Sequence, residues 1–333
     1  ELKPDERWAL IEYLKSLGSP QPAHEYPPAG ESVAIRQLAE IQALVQTLTS
    51  QMTGKVRRGQ HAKSLGVVSA TLKVEDNLHA RHRVGLFKDS AEYEAVIRFS
   101  NGESDDDHKP DVHGLAIKVL IPSKTEPGKS TIQDFVLADN PVFFAKNVQH
   151  LLKFLAMKRA NVPIQNLVAE FPALRTYKKP LASPLESKYW SQTPYKFGDR
   201  AVKYVLLPGS QNTRVNKDNA SQSKSPNFLS EVLKERLSDT NRPVTFDLCV
   251  QEQSDAKRMP IEDPTVEWDS KPIKVATITI GPQPTASERP KDLQNPSFSP
   301  WNAQKEHHPM GGINRARRPI YEQSRERRQP AKK

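Results

Sequence analysis

The chain of 333 residues contains one cysteine, Cys249. That excludes an internal disulfide, a cysteine-held zinc site and a Cys-x-x-Cys redox pair, and it does not decide the compartment. Cys249 lies in the alternating run Val244-Thr245-Phe246-Asp247-Leu248-Cys249-Val250, so it is expected as a half-buried strand thiol rather than a nucleophile. No apolar run approaches the ~20 residues that a membrane-spanning helix needs. Glycine is scarce, at 14 residues against 28 prolines, and apolar residues make up only 36%. Long proline-punctuated connections around one core are therefore expected, not a helical bundle. No signal peptide is visible, although an opening at Glu1 instead of Met is compatible with a removed upstream segment.

What the chain has in excess is positive charge, +10 in all. It concentrates near the end, at Arg315, Arg317, Arg318, Arg325, Arg327, Arg328, Lys332 and Lys333. A basic tail invites a nucleic-acid reading. Zinc-finger spacing, an aromatic RNA-binding signature and a helix-turn-helix pattern are all missing, which disfavours it. A solvated tail, or arginines that neutralise a buried anionic ligand, are the competing readings.

Residues 3–18 read as a helix, with Pro4, Asp5 and Glu6 at its start, Gly18 at its end, and Trp8, Ile11, Leu14 and Leu17 at helical spacing. A proline-rich linker follows to Gly30. Ile35, Leu38, Ile41, Val45 and Leu48 mark a second amphipathic helix, and 147–160 a third. Residues 67–74, 95–100, 114–121, 132–137, 202–207, 244–250 and 275–280 read as strands, and 210–227 as polar surface. Strands and helices are segregated, which predicts an α+β fold with an antiparallel sheet, closed or open.

Two short segments carry chemistry. Arg58-Gly59-Gln60-His61 offers a histidine that can move protons. Near the end, Arg317 precedes Tyr321 by four residues, so a helix places both on one face. A phenol titrates near ~10 and holds ferric iron only as its anion, which a neighbouring guanidinium stabilises. Taken singly, each pattern is common.

Their company is not. The run His61-Ala62-Lys63-Ser64-Leu65-Gly66, then Val96-Ile97-Arg98-Phe99-Ser100, then His113-Gly114-Leu115-Ala116-Ile117-Lys118-Val119 resembles the haem catalases in order and spacing. Asp134-Phe135-Val136, Asn140-Pro141-Val142-Phe143-Phe144, Phe298-Ser299-Pro300-Trp301-Asn302 and Glu306-His307-His308-Pro309 continue the match up to Tyr321. The likeness covers roughly residues 50–155 and 295–328, and the short stretch after Tyr321 resembles the short catalase-related peroxidase group. The resemblance implies an α+β fold, an antiparallel β-barrel of the catalase type with surrounding helices, and haem b (iron protoporphyrin IX) as cofactor.

By position it implies Tyr321 as proximal iron ligand, Arg317 as its charge partner and His61 as distal acid–base. It further implies Ser100 as the hydroxyl that orients His61, Arg58, Arg98 and Arg328 on the haem propionates, and Phe143 and Phe144 on the distal wall. The family's distal asparagine falls at Ala138 in an ungapped reading and at Asp139 in the short relatives; Asn140 is the nearest amide and is taken as the candidate. Gln60 stands where full catalases have valine. The implied activity is a peroxidase that reduces hydrogen peroxide or organic hydroperoxides through a ferryl intermediate with an organic electron donor, with weak catalase activity beside it. A fatty-acid hydroperoxide rearranging enzyme of the allene-oxide-synthase kind is an alternative, as is a non-enzymatic basic nucleic-acid or haem-binding protein.

Residues 3–17 also resemble the last helix of small c-type cytochromes. Residues 1–30 are accordingly separated from a haem domain over 31–333. An upstream cytochrome c domain and a periplasmic setting are expected, with a cytoplasmic one as the alternative, together with a homo-oligomer and no membrane span.

Overall fold

The computed structural model describes residues 23–123, 126, 128–210, 212, 223–238, 242–283 and 296–328. The expected helix over 3–18, most of the polar stretch after 210, Lys332 and Lys333 lie outside these residues.

Nine antiparallel strands lie among the described residues: β1 (Ser64–Val74), β2 (Glu92–Asn101), β3 (His113–Pro122), β4 (Ser130–Ala138), β5 (Tyr189–Trp190), β6 (Tyr195–Phe197), β7 (Arg200–Pro208), β8 (Val244–Glu252) and β9 (Ile273–Ile280). Their order is β5-β4-β3-β2-β1-β9-β8-β7-β6, and β5 also pairs with β7. That pairing closes the sheet into a barrel, with β6 attached to β7 outside the ring. Strand β5 meets β4 only at Ala138, and the loop at Ser299–Asn302 covers part of the remaining β4 edge, where the Asp134 amide donates to the Asn302 carbonyl (2.7 Å).

The barrel lumen is a packed core. Leu72, Ile97, Ile117, Phe135, Tyr204, Phe246 and Ile278 meet there from seven strands, all buried. Helices lie around it: α1 (Glu31–Thr53), α2 (Val148–Arg159), α3 (Ile164–Glu170), α4 (Phe228–Ser238) and α5 (Gly312–Arg328). The α+β barrel expected from the sequence is the one found.

Helix α5 is held in place at its first turn. Gly311 adopts φ +85°, and a Cβ there would lie 2.6 Å from the Ile261 carbonyl oxygen, so only glycine fits this entry. Arg315 then bridges to Glu31 of α1 (Nε–Oε2 2.7 Å) and to Glu262 (Nη2–Oε2 2.7 Å), and it also pairs with Glu25. This network sets the rotation of α5 against α1 and so decides where its next residues point.

Candidate functional site

His61 closes the turn that leads into β1. Its backbone is left-handed at φ +51°, a conformation that histidine tolerates better than most residues. Arg98 of β2 holds it there by donating from Nη2 to the His61 carbonyl (2.8 Å). The imidazole rests on Gly114 of β3, where an added Cβ would lie 2.6 Å from Nδ1. The Ser100 hydroxyl lies 3.4 Å from the Gly114 carbonyl as donor and 3.3 Å from His61 Nδ1. With its hydrogen on the carbonyl, Ser100 accepts from Nδ1–H, which leaves Nε2 with a free lone pair. Burial, with the nearby Arg98 charge adding to it, pushes the His61 pKa down to about 4. At neutral pH the ring is therefore uncharged and basic at Nε2.

Ser100, Gly114 and Ala138 are successive cross-strand partners on β2, β3 and β4, so they share one face of the sheet. Ala138 thus continues the row on which His61 rests. Asp139 belongs to the opposite face: its carboxylate accepts from the His113 amide and Nδ1 (both 2.9 Å). Asn140 donates from Nδ2 to the Tyr177 carbonyl (2.8 Å). The structure brings Ser100 to His61, and the Asn140 amide is engaged by the Tyr177 backbone. Gln60 is exposed and turns away, to Gln42 of α1 (3.4 Å).

Arg317 and Tyr321 share a face of α5 with Ser324 and Arg328, as their spacing dictates. Arg317 Nη1 donates to Thr193 Oγ1 and Asn314 Oδ1 (3.1 Å each), and its guanidinium lies 5.7 Å from the Phe143 ring. These partners are neutral, and among the described residues no carboxylate pairs with it, so its charge is undiluted one turn from the phenol. Phe144 packs against Phe143 (ring centroids 4.7 Å) and joins an aromatic cluster with Phe154, Phe171 and Tyr177.

The two chemical segments do meet. A Cβ on Gly59 would lie 3.8 Å from Ser324 Oγ of α5. Arg58 donates from Nη2 to the Pro296 carbonyl (2.7 Å), and Arg328 to Ser297 Oγ (3.3 Å). Arg58, Arg98 and Arg328 come from three elements far apart in the chain and gather within electrostatic range. Burial lowers all three pKa values; the neighbouring Arg98 and Arg328 charges add to this at Arg58 (to about 9), and the Arg328 charge adds at Arg98 (to about 10). Tyr321 acts on Arg58 in the opposite sense, which places the phenol beside the cluster. Neither Arg98 nor Arg328 has a carboxylate partner among the described residues. Three crowded cations of this kind fit a bound dianion, since arginine supplies fixed planar donors. The donor set as a whole, a phenol, an arginine beside it, a neutral histidine and a tri-arginine anion site, fits a haem with two propionates.

Sequence reasoning missed Thr193, Asn314 and Gly114 as supports. Asn314 is three residues before Arg317 and was readable from helical spacing; Thr193 lies in the weakly matching middle and gave no signal. Among the described residues no cluster of His, Cys, Asp and Glu is arranged to hold a metal. No helix among them is long and apolar enough to cross a membrane. Cys249 is buried and its thiol is pushed up to about 12, mainly by burial, as an unreactive strand residue should be.

No protein-family model matches the chain, and no curated protein matches its sequence. Solved structures do match. A fungal catalase aligns with TM-score 0.59 at 18% identity over 82% of this chain and 59% of its own. A bacterial catalase gives 0.59 at 14% identity, covering 87% and 63%. Catalase A from Saccharomyces cerevisiae gives 0.57 at 17%, covering 92% and 65%. The chain thus spans under two thirds of the length of each of these catalases. At this identity the likeness is one of architecture: the closed barrel and its surrounding helices are the catalase fold.

Proposed function

We propose that the chain is a haem b peroxidase, which reduces hydrogen peroxide or an organic hydroperoxide with electrons from an organic donor. The observation that carries this reading is the convergence of Arg58, Arg98 and Arg328 beside Tyr321, at the turn that also bears His61. The catalase fold of the chain is consistent with it.

Tyr321 would hold the iron through its phenolate oxygen, with the Arg317 charge favouring the anion. Arg58, Arg98 and Arg328 would hold the propionates, with Phe143 against the ring. Bound haem supplies the two-electron reduction of the peroxide O–O bond. His61, neutral at working pH, takes the proton from the peroxide hydroxyl at Nε2 and returns it to the departing oxygen. Ser100 fixes the tautomer that makes this possible. A row of Ser100, Gly114 and Ala138 offers no side-chain amide to position a second peroxide as reductant, which supports peroxidase over catalase turnover. Gln60, turned to solvent, adds nothing to that choice. The periplasmic placement rests only on the cytochrome-like residues 3–17.

Hemin titration followed by absorption spectroscopy tests the reading. Wild-type protein should develop a Soret band and a ferric-phenolate spectrum, Tyr321→Phe should lose the latter, and His61→Ala should keep haem but react slowly with peroxide. A wild-type protein that takes up no haem refutes the proposal.

A further inference from the structure

Arg317, Tyr321, Ser324 and Arg328 occupy one face of α5; Arg318, Glu322 and Arg325 lie on the flank, turned by roughly 100°. A cavity of 290 Å³ opens on that flank, with Tyr321 as part of its inner wall and Phe298 and Trp301 beside it. We infer that this cavity binds the organic reductant, and that the reductant is a single-ring phenol carrying one carboxylate. The inference rests on the peroxidase reading above.

The shape of the donor follows from the lining. The volume is at the small end of ligand pockets, which span ~300–1,000 Å³, and suits one aromatic ring with a short substituent. The Trp301 indole N–H is committed to the Asn314 carbonyl (2.8 Å), so the ring is fixed in orientation and offers an apolar wall. Arg318 packs 5.1 Å over that ring and pairs with Glu322 (3.6 Å), so its charge is answered. Arg325 lines the cavity too and has no ion pair or hydrogen bond among the described residues. One unanswered cation against an aromatic wall selects one carboxylate on an aromatic ring. Exposed Arg318, Glu322 and Arg325 mark the mouth, so a donor enters from solvent with its carboxylate at the Arg325 rim and its ring toward Tyr321, the residue assigned to the iron.

The chemistry balances with peroxide as oxidant. Each phenol would break its O–H bond, giving up one electron toward the haem that Tyr321 would hold and its proton to solvent. Two phenols and one hydrogen peroxide thereby give two phenoxyl radicals and two waters, the two released protons being consumed in water formation.

Calorimetric titration of 4-hydroxybenzoate and the uncharged 4-methylphenol, each into haem-free and haem-loaded protein, tests the site. Wild type should bind 4-hydroxybenzoate in both forms. Arg325→Ala should weaken it about tenfold and leave 4-methylphenol within twofold; Trp301→Leu should weaken both. In turnover, Arg325→Ala should raise KM for 4-hydroxybenzoate while kcat is retained. Equal effects of Arg325→Ala on the two probes, or loss of 4-hydroxybenzoate binding once haem is loaded, overturn the inference, the second because the cavity would then belong to the cofactor. Arg325-dependent binding in a protein that takes up no haem would uphold the anionic-phenol site and sink the peroxidase reading alone.

Discussion

Gly114→Ala isolates the seat of His61 from the rest of the distal side. The added methyl would lie 2.6 Å from His61 Nδ1, 2.8 Å from Cε1 and 2.9 Å from Ser100 Oγ. Ordinary contacts start near ~3.5 Å, so the imidazole must retreat by roughly 1 Å. Both neighbours are side-chain ends that can rotate, so the fold should survive. Overpacking of ~1–3 kcal/mol is offset by the ~0.5–1 kcal/mol that alanine gains over glycine in a strand. The net loss should be about 1 kcal/mol. Misplacing a reacting group by ~1 Å can lower a rate by ~100-fold. Stopped-flow absorbance after mixing with peroxide should show that drop, with an intact Soret band and a melting temperature only a few degrees lower. A peroxide rate within threefold of wild type, in protein that has bound haem, would mean that the position of His61 does not govern the reaction.

Arg328→Met should weaken hemin binding at least tenfold in a fluorescence-quench titration. The same change should leave the urea midpoint of haem-free protein unchanged or higher, because it relieves Arg58 and Arg98 of a neighbouring cation. Ala138→Asn places an amide on the His61 row and should raise oxygen release from hydrogen peroxide several-fold, read at an oxygen electrode; no gain would show that the alanine is not what limits catalase turnover. The peroxide rate should fall on the acid side with a midpoint near pH 4, where His61 takes up its proton. His307 is buried, donates to Tyr204 Oη (3.0 Å), accepts from the Leu86 amide (3.1 Å), and burial pushes its pKa down to about 4. Its folded pKa lies below the unfolded ~6.5, so it contributes about 3 kcal/mol above that value, lost as pH falls toward 4. Urea titrations of haem-free His307→Gln between pH 7 and 4 should show a shallower decline than wild type.

The strands were legible because a closed barrel with a packed lumen demands alternation and β-branching over long runs. All seven expected strands are present, each a residue or more longer than its pattern except at the shared ends Val74, Val244 and Ile280. The short strands β5 and β6 escaped, since two or three residues carry no period; yet β5 is the piece that closes the ring. Helix α4 also went unread, and its burial of Phe228, Leu229, Leu233 and Leu237 is determined by the barrel wall it covers. At the site, residues that act through side chains at helical spacing, Arg317 and Tyr321, could be read directly. The distal amide could not, because its position depends on which face a residue at the end of β4 takes. A one-residue shift separates Ala138, on the His61 row, from Asp139, on the opposite face, and sequence alone does not fix that register.

The basic C-terminus shows how little net charge says without geometry. On one helix, cations a residue or a turn apart have different partners. Arg315 is bound by three carboxylates and anchors α5 to α1. Arg317, two residues on, meets only neutral donors and acceptors, so its field reaches the phenol one turn later. Arg318 is answered by Glu322 and stacks on Trp301. Arg328 joins Arg58 and Arg98, and neither it nor Arg98 has a carboxylate partner among the described residues. A nucleic-acid surface would present such charges outward along a common face, where phosphates lie in a row. Here Arg328 is drawn inward toward Arg58 and Arg98, against mutual repulsion and loss of water. A protein with no anion to bind would gain nothing from holding Arg98 and Arg328 side by side without a carboxylate partner among the described residues. Their burial is therefore better explained by a ligand that brings its own negative charge than by folding, and a flat group with two carboxylates beside a tyrosine and an unprotonated histidine meets that description.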